Sequence, residues 1–191
     1  MRSVPLAALE HAFGPLDATL VMTVQAVSGA GHPGVQSLDN AVPYTGEEDK
    51  LKWELKKVLG AMCDDGRPFD LHEQVPLNVS AACNRVPMLE GHTECVSVRF
   101  ARRPPPCWSK VREVLRRYTC EAQALGCPSV PAEAIVVHDK LDRPQPRMVW
   151  DYHDGTDVSV GRVRECLVLD IKFVMLANNV VIGAATSSII K

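Results

Sequence analysis

The sequence contains no CxxC pair, no signal-peptide core at its N-terminus, no apolar run long enough to span a bilayer and no surplus of charge of one sign. Each absence removes a class of function. With 21 basic and 23 acidic side chains and a formal charge of -2, nothing draws the chain to phosphate backbones or anionic lipid, which require clustered Lys and Arg. The best membrane candidate, residues 173–185, is interrupted by Asn178 and Asn179 and falls short of the roughly 18 apolar residues a spanning helix needs. Neither nucleic acid nor membrane is expected as a partner. Seven cysteines (63, 83, 95, 107, 120, 127 and 166) form an odd set, and the opening MRSVPLAALEH has no apolar h-region. Both features fit reduced thiols in a cytoplasmic or organelle-stroma setting.

What is present is an ordinary globular composition, 46% apolar and 23% charged over 191 residues. That length accommodates one domain of roughly 100 to 200 residues and leaves a two-domain cofactor enzyme cramped. Leu6, Leu9 and Phe13 stand three and four apart before Gly14-Pro15, a helical stripe with a stop. Residues 19–27 are β-branched and apolar without helical period, which predicts a buried strand. A helix is predicted from Glu47, with Thr45 and Glu48 as a capping box, Leu51, Leu55, Val58 and Leu59 as its apolar face and Gly60 as its stop. Val96, Val98 and Phe100 alternate with polar residues as in a half-buried strand closed by Pro104, Pro105 and Pro106. Ser109 then caps a helix bearing Val111, Val114, Leu115 and Tyr118, and a short strand follows at 134–137. Residues 139–157 read as a surface excursion, 158–164 and 166–171 as strands, and Phe173 onward as a helix. Strands alternating with helices, without repeats, imply a mixed sheet layered with helices.

Three clusters carry chemistry. Gly29, Gly31 and Gly34 satisfy G-x-G-x-x-G after a strand, but Pro33 sits inside the motif and no acidic strand end follows. A tight glycine loop that brings backbone N–H groups to a ligand fits better than a full Rossmann turn. Glu47 and Lys50 share a helix face and can project into one cleft, although acids in a first turn also simply complement the macrodipole. Arg85, His92 and Glu94 lie in a segment leading into a strand, where an Arg can fork onto a carboxylate and a His can move protons near neutral pH. Cys83, His92 and Cys95 lack the paired spacing of zinc ligands, so no metal is expected.

Several stretches together resemble aspartate-semialdehyde dehydrogenases of the fungal and archaeal branch: VPLAALE at 4–10, QAVSGAG at 25–31, GEEDKLKWE at 46–54, CNRVP at 83–87, GHTECVSV at 91–98, DRPQPR at 142–147 and SVGR at 159–162. They occur in the family's order across nearly the whole chain. The resemblance implies the C-terminal catalytic and dimerisation domain over residues 1–191, without a complete Rossmann domain. Its α/β (α+β) fold would be a mixed, largely antiparallel sheet layered with helices, like the C-terminal domain of the glyceraldehyde-3-phosphate dehydrogenase superfamily. The family reduces L-aspartyl 4-phosphate to aspartate 4-semialdehyde with NADPH, through a thioester on a cysteine that would fall upstream of Met1. Carried over residue by residue, the resemblance makes His92 the acid/base and Gln25 a catalytic-site glutamine. It makes Arg85 the carboxylate grip, Glu47 the ammonium acceptor and Lys50 the phosphate ligand, with Ser28, Gly29 and Asn179 as contacts to NADP. It also implies a homodimer and a small-molecule substrate. Ile182 departs from the family's usual arginine. Alone, the chain is expected not to turn over; the competing readings are a non-catalytic dimerisation module and a free-standing nucleotide-binding protein.

Overall fold

The computed structural model describes residues 3–30, 37, 39–43, 46–60, 76–127, 130–149 and 152–185. Helix α1 (Ser3–Phe13) buries Leu6 and Leu9 completely, each contributing roughly 1.5–3 kcal/mol. It ends where Gly14 turns to φ 87° with its N–H on the Glu10 carbonyl at 2.9 Å, a left-handed conformation that favours glycine. β1 (Leu16–Gln25) begins three residues before the apolar run and stops two residues short of its end, since Val27 enters a 3₁₀ turn (Val27–Ala30).

β1 joins β2 (Asn78–Arg85), β3 (His92–Phe100), β4 (Ile135–His138), β5 (Val158–Glu165) and β6 (Ile171–Ala177) in one sheet of order β2-β1-β3-β6-β5-β4. Two pairings, β1–β2 and β4–β5, are parallel; the other three are antiparallel, so the sheet is mixed and largely antiparallel as expected. α1, α2 (Glu48–Leu59) and α3 (Trp108–Arg117) cover one face, where Leu51, Leu55, Val111 and Leu115 join Val21, Val96, Phe100 and Met175 in a single core. Phe13 meets Phe100 edge to face at 5.7 Å. α4 (Glu121–Ala124) and α5 (Pro146–Val149) are single turns. On the opposite face Leu20 and Met22 are 43% and 44% exposed, and Cys95 beside them is exposed too.

The structure corrects several expectations. Residues 166–170 form a turn, and the segment from 171 to 177 is the strand β6, not the start of a helix. A short apolar run is ambiguous between helix and buried strand. Here the pairing with β3 and β5 decides for the strand, while the Asp170 carboxylate fixes the turn through Phe100 N–H at 2.8 Å and Arg103 at 2.7 Å. Of the expected capping box, Thr45 lies outside the described residues, and the Glu48 carboxylate accepts the Cys83 N–H. Gly60 does stop α2, in an extended conformation, but Val58 is 60% exposed, off the apolar face. Cys107, not Ser109, is the N-cap position of α3. The stretch 139–157 is no free excursion: Pro144 and Val149 are buried, and the Arg143 carbonyl lies against Gly161 of β5 where a side chain would stand.

Candidate active site

The C-terminal ends of the parallel strands β1 and β2, the start of β3 and the end of β6 meet at one end of the sheet, with Gln25 opposite Arg85 and His92 opposite Ala177. Four sequence-distant segments therefore converge. Gln25, 1% exposed, donates from Nε2 to Glu47 Oε2 at 2.9 Å, while its Oε1 is buried without a partner among the described residues. A buried acceptor left unpaired costs on the order of 1–3 kcal/mol, so this oxygen marks a place for a ligand donor.

Ala26, the first residue beyond β1, organises the two principal side chains. Its N–H donates to His92 Nδ1 at 3.1 Å, and its carbonyl accepts from Arg85 Nη1 at 2.7 Å. With Nδ1 accepting, the neutral imidazole carries its proton on Nε2, the nitrogen on the Gly29 side of the ring. A Cβ at Gly29 would stand 2.9 Å from Arg85 Nη1 and 3.1 Å from both Cε1 and Nε2 of His92. Glycine is thus the residue that lets the backbone lie against the guanidinium and imidazole together. Arg85 is 8% exposed and keeps further guanidinium N–H groups for a planar acceptor.

Asn179, beyond β6, ties the neighbouring loops: its Oδ1 accepts Gly91 N–H at 3.0 Å and its Nδ2 donates to Ser28 Oγ at 3.0 Å. The loop of Ser28 also hangs from the β2–β3 turn, with Val27 N–H on the Met88 carbonyl at 2.8 Å. Ser28 and Gly29 are exposed. The structure thus joins Gln25 to Glu47, Arg85 and His92 to Ala26, and Ser28 to Asn179. Lys50 stands apart: it is 69% exposed and its ammonium pairs with Glu54 at 3.6 Å. Of the glycine motif, Gly31, Pro33 and Gly34 lie outside the described residues. Among the described residues no group of three or more His, Cys, Asp and Glu could hold a metal, and no helix is long and apolar enough to cross a membrane. Cys83, two residues before Arg85, has its thiol wholly buried in the core.

Sequence reasoning missed three features. Glu48 reads as a capping-box acid but bonds β2. Glu94, named with Arg85 and His92 from the sequence, is 1% exposed on the helix-covered face, a burial its charge did not announce. A third cluster begins beside the site, where Val158 pairs with Ala177: Asp157, 4% exposed, accepts from Ser159 Oγ at 3.3 Å and lies 3.7 Å from His153 Nδ1. Ser159 in turn meets His138 Nε2 at 3.1 Å. Burial pushes the Asp157 carboxyl up, against the opposing pull of His153, and burial pushes His138 down with Arg143 adding to it. Ser159 pairs with Val136, two residues before His138, so only the parallel β4–β5 pairing brings His138 and Ser159 together.

Comparison with known proteins bears on what this site serves. The family model described as semialdehyde dehydrogenase, dimerisation domain, matches residues 6–182. The chain is 62% identical to the aspartate-semialdehyde dehydrogenase of Cryptococcus neoformans var. neoformans, over 98% of this chain and 52% of that protein. It superposes on the crystal structure of the Candida albicans enzyme with NADP at a TM-score of 0.89, with 50% identity, covering 97% of this chain and 52% of that one. On aspartate semialdehyde dehydrogenase II from Vibrio cholerae, complexed with ASA, the TM-score is 0.73 at 26% identity, covering 98% and 56%. The chain spans about half the length of the curated relatives it matches.

Proposed function

The chain belongs to the semialdehyde dehydrogenase dimerisation-domain family, and on that premise we propose that residues 1–191 are the substrate-gripping and self-associating half of an aspartate-semialdehyde dehydrogenase. The observation that carries this reading is Ala26 holding Arg85 and His92 side by side beneath Gly29, with the Gln25–Glu47 pair at the same strand end. Arg85 offers a fork to the carboxylate of aspartyl phosphate or its semialdehyde, and Glu47 a charge for the ammonium. Gln25 Oε1 accepts a donor from the substrate or its attacking group. His92, oriented through Nδ1, exchanges a proton at Nε2 with the tetrahedral oxygen or the departing group. Lys50, exposed at the start of α2, is the phosphate ligand and must leave Glu54 to act.

The thiolate nucleophile belongs to the part of the enzyme this chain does not cover. NADP fits the exposed loop of Ser28 and Gly29, where the missing side chain at Gly29 leaves backbone accessible beside His92, and Asn179 anchors that loop. When bound, the cofactor supplies hydride transfer; the residues of this chain orient the acceptor and handle protons. The open face around Leu20, Met22, Ala82 and Cys95 suits a second copy packed two-fold on the same patch.

The test joins this chain to the part of the Candida albicans relative that it does not cover and follows NADP reduction with aspartate semialdehyde and phosphate. Turnover is expected in the joined protein and not in the chain alone, and His92→Asn lowers it by about 10²–10⁴-fold. A rate from the chain alone overturns the placement of the nucleophile. A stable dimer without turnover when joined leaves the second reading, a non-catalytic dimerisation module.

A further inference from the structure

We propose that Glu48 is a positioning residue that sets the spacing between the two substrate-gripping groups Glu47 and Arg85, an inference that rests on the roles given to those two residues above. Glu48 Oε1 accepts the Cys83 N–H at 2.9 Å. Cys83 lies in β2, which is the last strand of the sheet on its side among the described residues. Two residues further on, Arg85 exchanges both backbone bonds with Val42, each 2.8 Å. The outer edge of β2 is thus bonded at Cys83 by the first residue of α2 and at Arg85 by the segment that precedes α2. An edge N–H buried without an acceptor is costly, and a carboxylate makes this bond charge-assisted and short.

The consequence lies in the adjacency of Glu47 and Glu48. Glu48 grips β2 while Glu47 Oε2, one residue earlier, accepts from Gln25 at the end of β1. Among the described residues no side-chain cap holds the start of α2. Leu51 and Leu55 seat the helix on the core, and these two carboxylates, pulling toward adjacent, parallel strands, place its first turn. The side chain of Arg85 leaves β2 two residues beyond the Glu48 bond, so this contact, together with the hold of the Ala26 carbonyl on Arg85 Nη1, sets how far the ammonium acceptor stands from the carboxylate fork. His92 is held separately, by Ala26 N–H, and lies outside this linkage.

Two measurements test the proposal. In the chain itself, Glu48→Ala should shift the side-chain amide resonance of Gln25, which loses its fixed partner, and Glu48→Gln, which keeps an acceptor at Oε1, should restore it. In the protein joined to the uncovered part of the Candida albicans relative, Glu48→Ala should raise KM for the semialdehyde about tenfold or more with kcat within about twofold. The pH profile of kcat should stay unchanged, since His92 is untouched, and Glu48→Gln should return KM to within about threefold of the parent. Where Glu48→Ala fails to fold, Glu48→Asp, one methylene short of Cys83, takes its place with the same expectations. An unmoved Gln25 resonance, a Gln variant as impaired as Ala, or a kcat that falls as far as KM rises each overturns the positioning role. A joined protein without turnover counts against the enzymatic reading and leaves the Gln25 resonance to decide on Glu48.

Discussion

Replacing Gly29 by Ala separates what this loop does for the fold from what it does for the ligand. The φ of Gly29 lies outside the left-handed range, so the backbone itself accepts alanine; the obstacle is the pair of side chains behind it. Arg85 Nη1, 2.9 Å from the added carbon, must withdraw about 0.5 Å to reach ordinary contact, and His92 about 0.3 Å. If the whole shift fell on the Arg85–Ala26 bond, its 2.7 Å would stretch to about 3.2 Å, the long limit of an N–H···O bond. Part of a charge-assisted bond worth about 1.5–3 kcal/mol is then lost, so stability falls by about 1 kcal/mol. For a chain of this size that is a melting shift of about 2–4 °C. Substrate affinity suffers more: a displacement of 1 Å in a positioning group costs about 10²-fold, so half an ångström in the carboxylate fork costs about tenfold. Calorimetric melting of the chain, with KM for the semialdehyde in the joined protein, checks both halves. A melting point lowered by more than about 8 °C would mean that glycine serves the backbone. An unchanged KM would mean that Arg85 does not grip the substrate.

Asn179→Ala removes the bonds to Gly91 and Ser28; at about 1 kcal/mol each the chain should lose about 2 kcal/mol, and hydrogen exchange at the Gly91 amide should accelerate by about tenfold or more. Because the folded Asp157 carboxyl titrates above its usual 3.8, its contribution to stability is full below that value and is lost as pH rises through the folded pKa. Asp157→Asn should therefore raise the melting point at pH 7 and give no gain at pH 3; a loss at pH 7 would show that the Ser159 and His153 contacts outweigh burial. His138 has the opposite sense: its folded pKa is below 6.5, so its neutral form's contribution is lost as pH falls below 6.5, and His138→Gln should flatten the melting curve against pH below 6.5. Met22→Lys places a charge on the open sheet face and should give monomers in sedimentation with the melting point of the chain nearly unchanged; a persistent dimer would move the self-association surface elsewhere.

The parts of the fold that were legible in the sequence are those where period and punctuation agree. The stripe of Leu6 and Leu9 with its Gly14 stop, and the alternation of Val96, Val98 and Phe100, sit where their patterns require. Failures occurred where a local signal was outbid by a partner distant in sequence. Glu48 has the spacing of a capping-box residue, but a β2 edge N–H thirty-five positions away claims its carboxylate. Residues 171–177 carry no period that distinguishes strand from helix, and the choice is made by β3 and β5 on either side. The Asp157–Ser159–His138 cluster has no local signature at all. Of the candidate site residues, Arg85 and His92 stand out by their chemistry in a segment leading into a strand, whereas Gln25 is reached only through the family resemblance, because nothing in its immediate neighbours announces that Ala26 joins the other two.

Both surfaces assigned to this chain descend from one property of β1. Its odd-numbered residues Thr19, Val21 and Thr23 face the helices, and its even-numbered Leu20 and Met22 face outward. Gln25 is the last inward position, and the strand ends there, so its amide points to the Glu47 side of the sheet while the next peptide, Ala26, is released from the ladder to bind Arg85 and His92. A slip of one residue would bury Leu20, expose Thr19 and turn Gln25 onto the open face, abolishing core, site and association surface together. The parallel partner β2 prevents that slip because Arg85, opposite Gln25, is itself held from outside by Val42 and two residues earlier by Glu48. The edge attachments that look peripheral to the fold are therefore what keep the ligand groups and the outward-facing apolar residues in a single, mutually exclusive register.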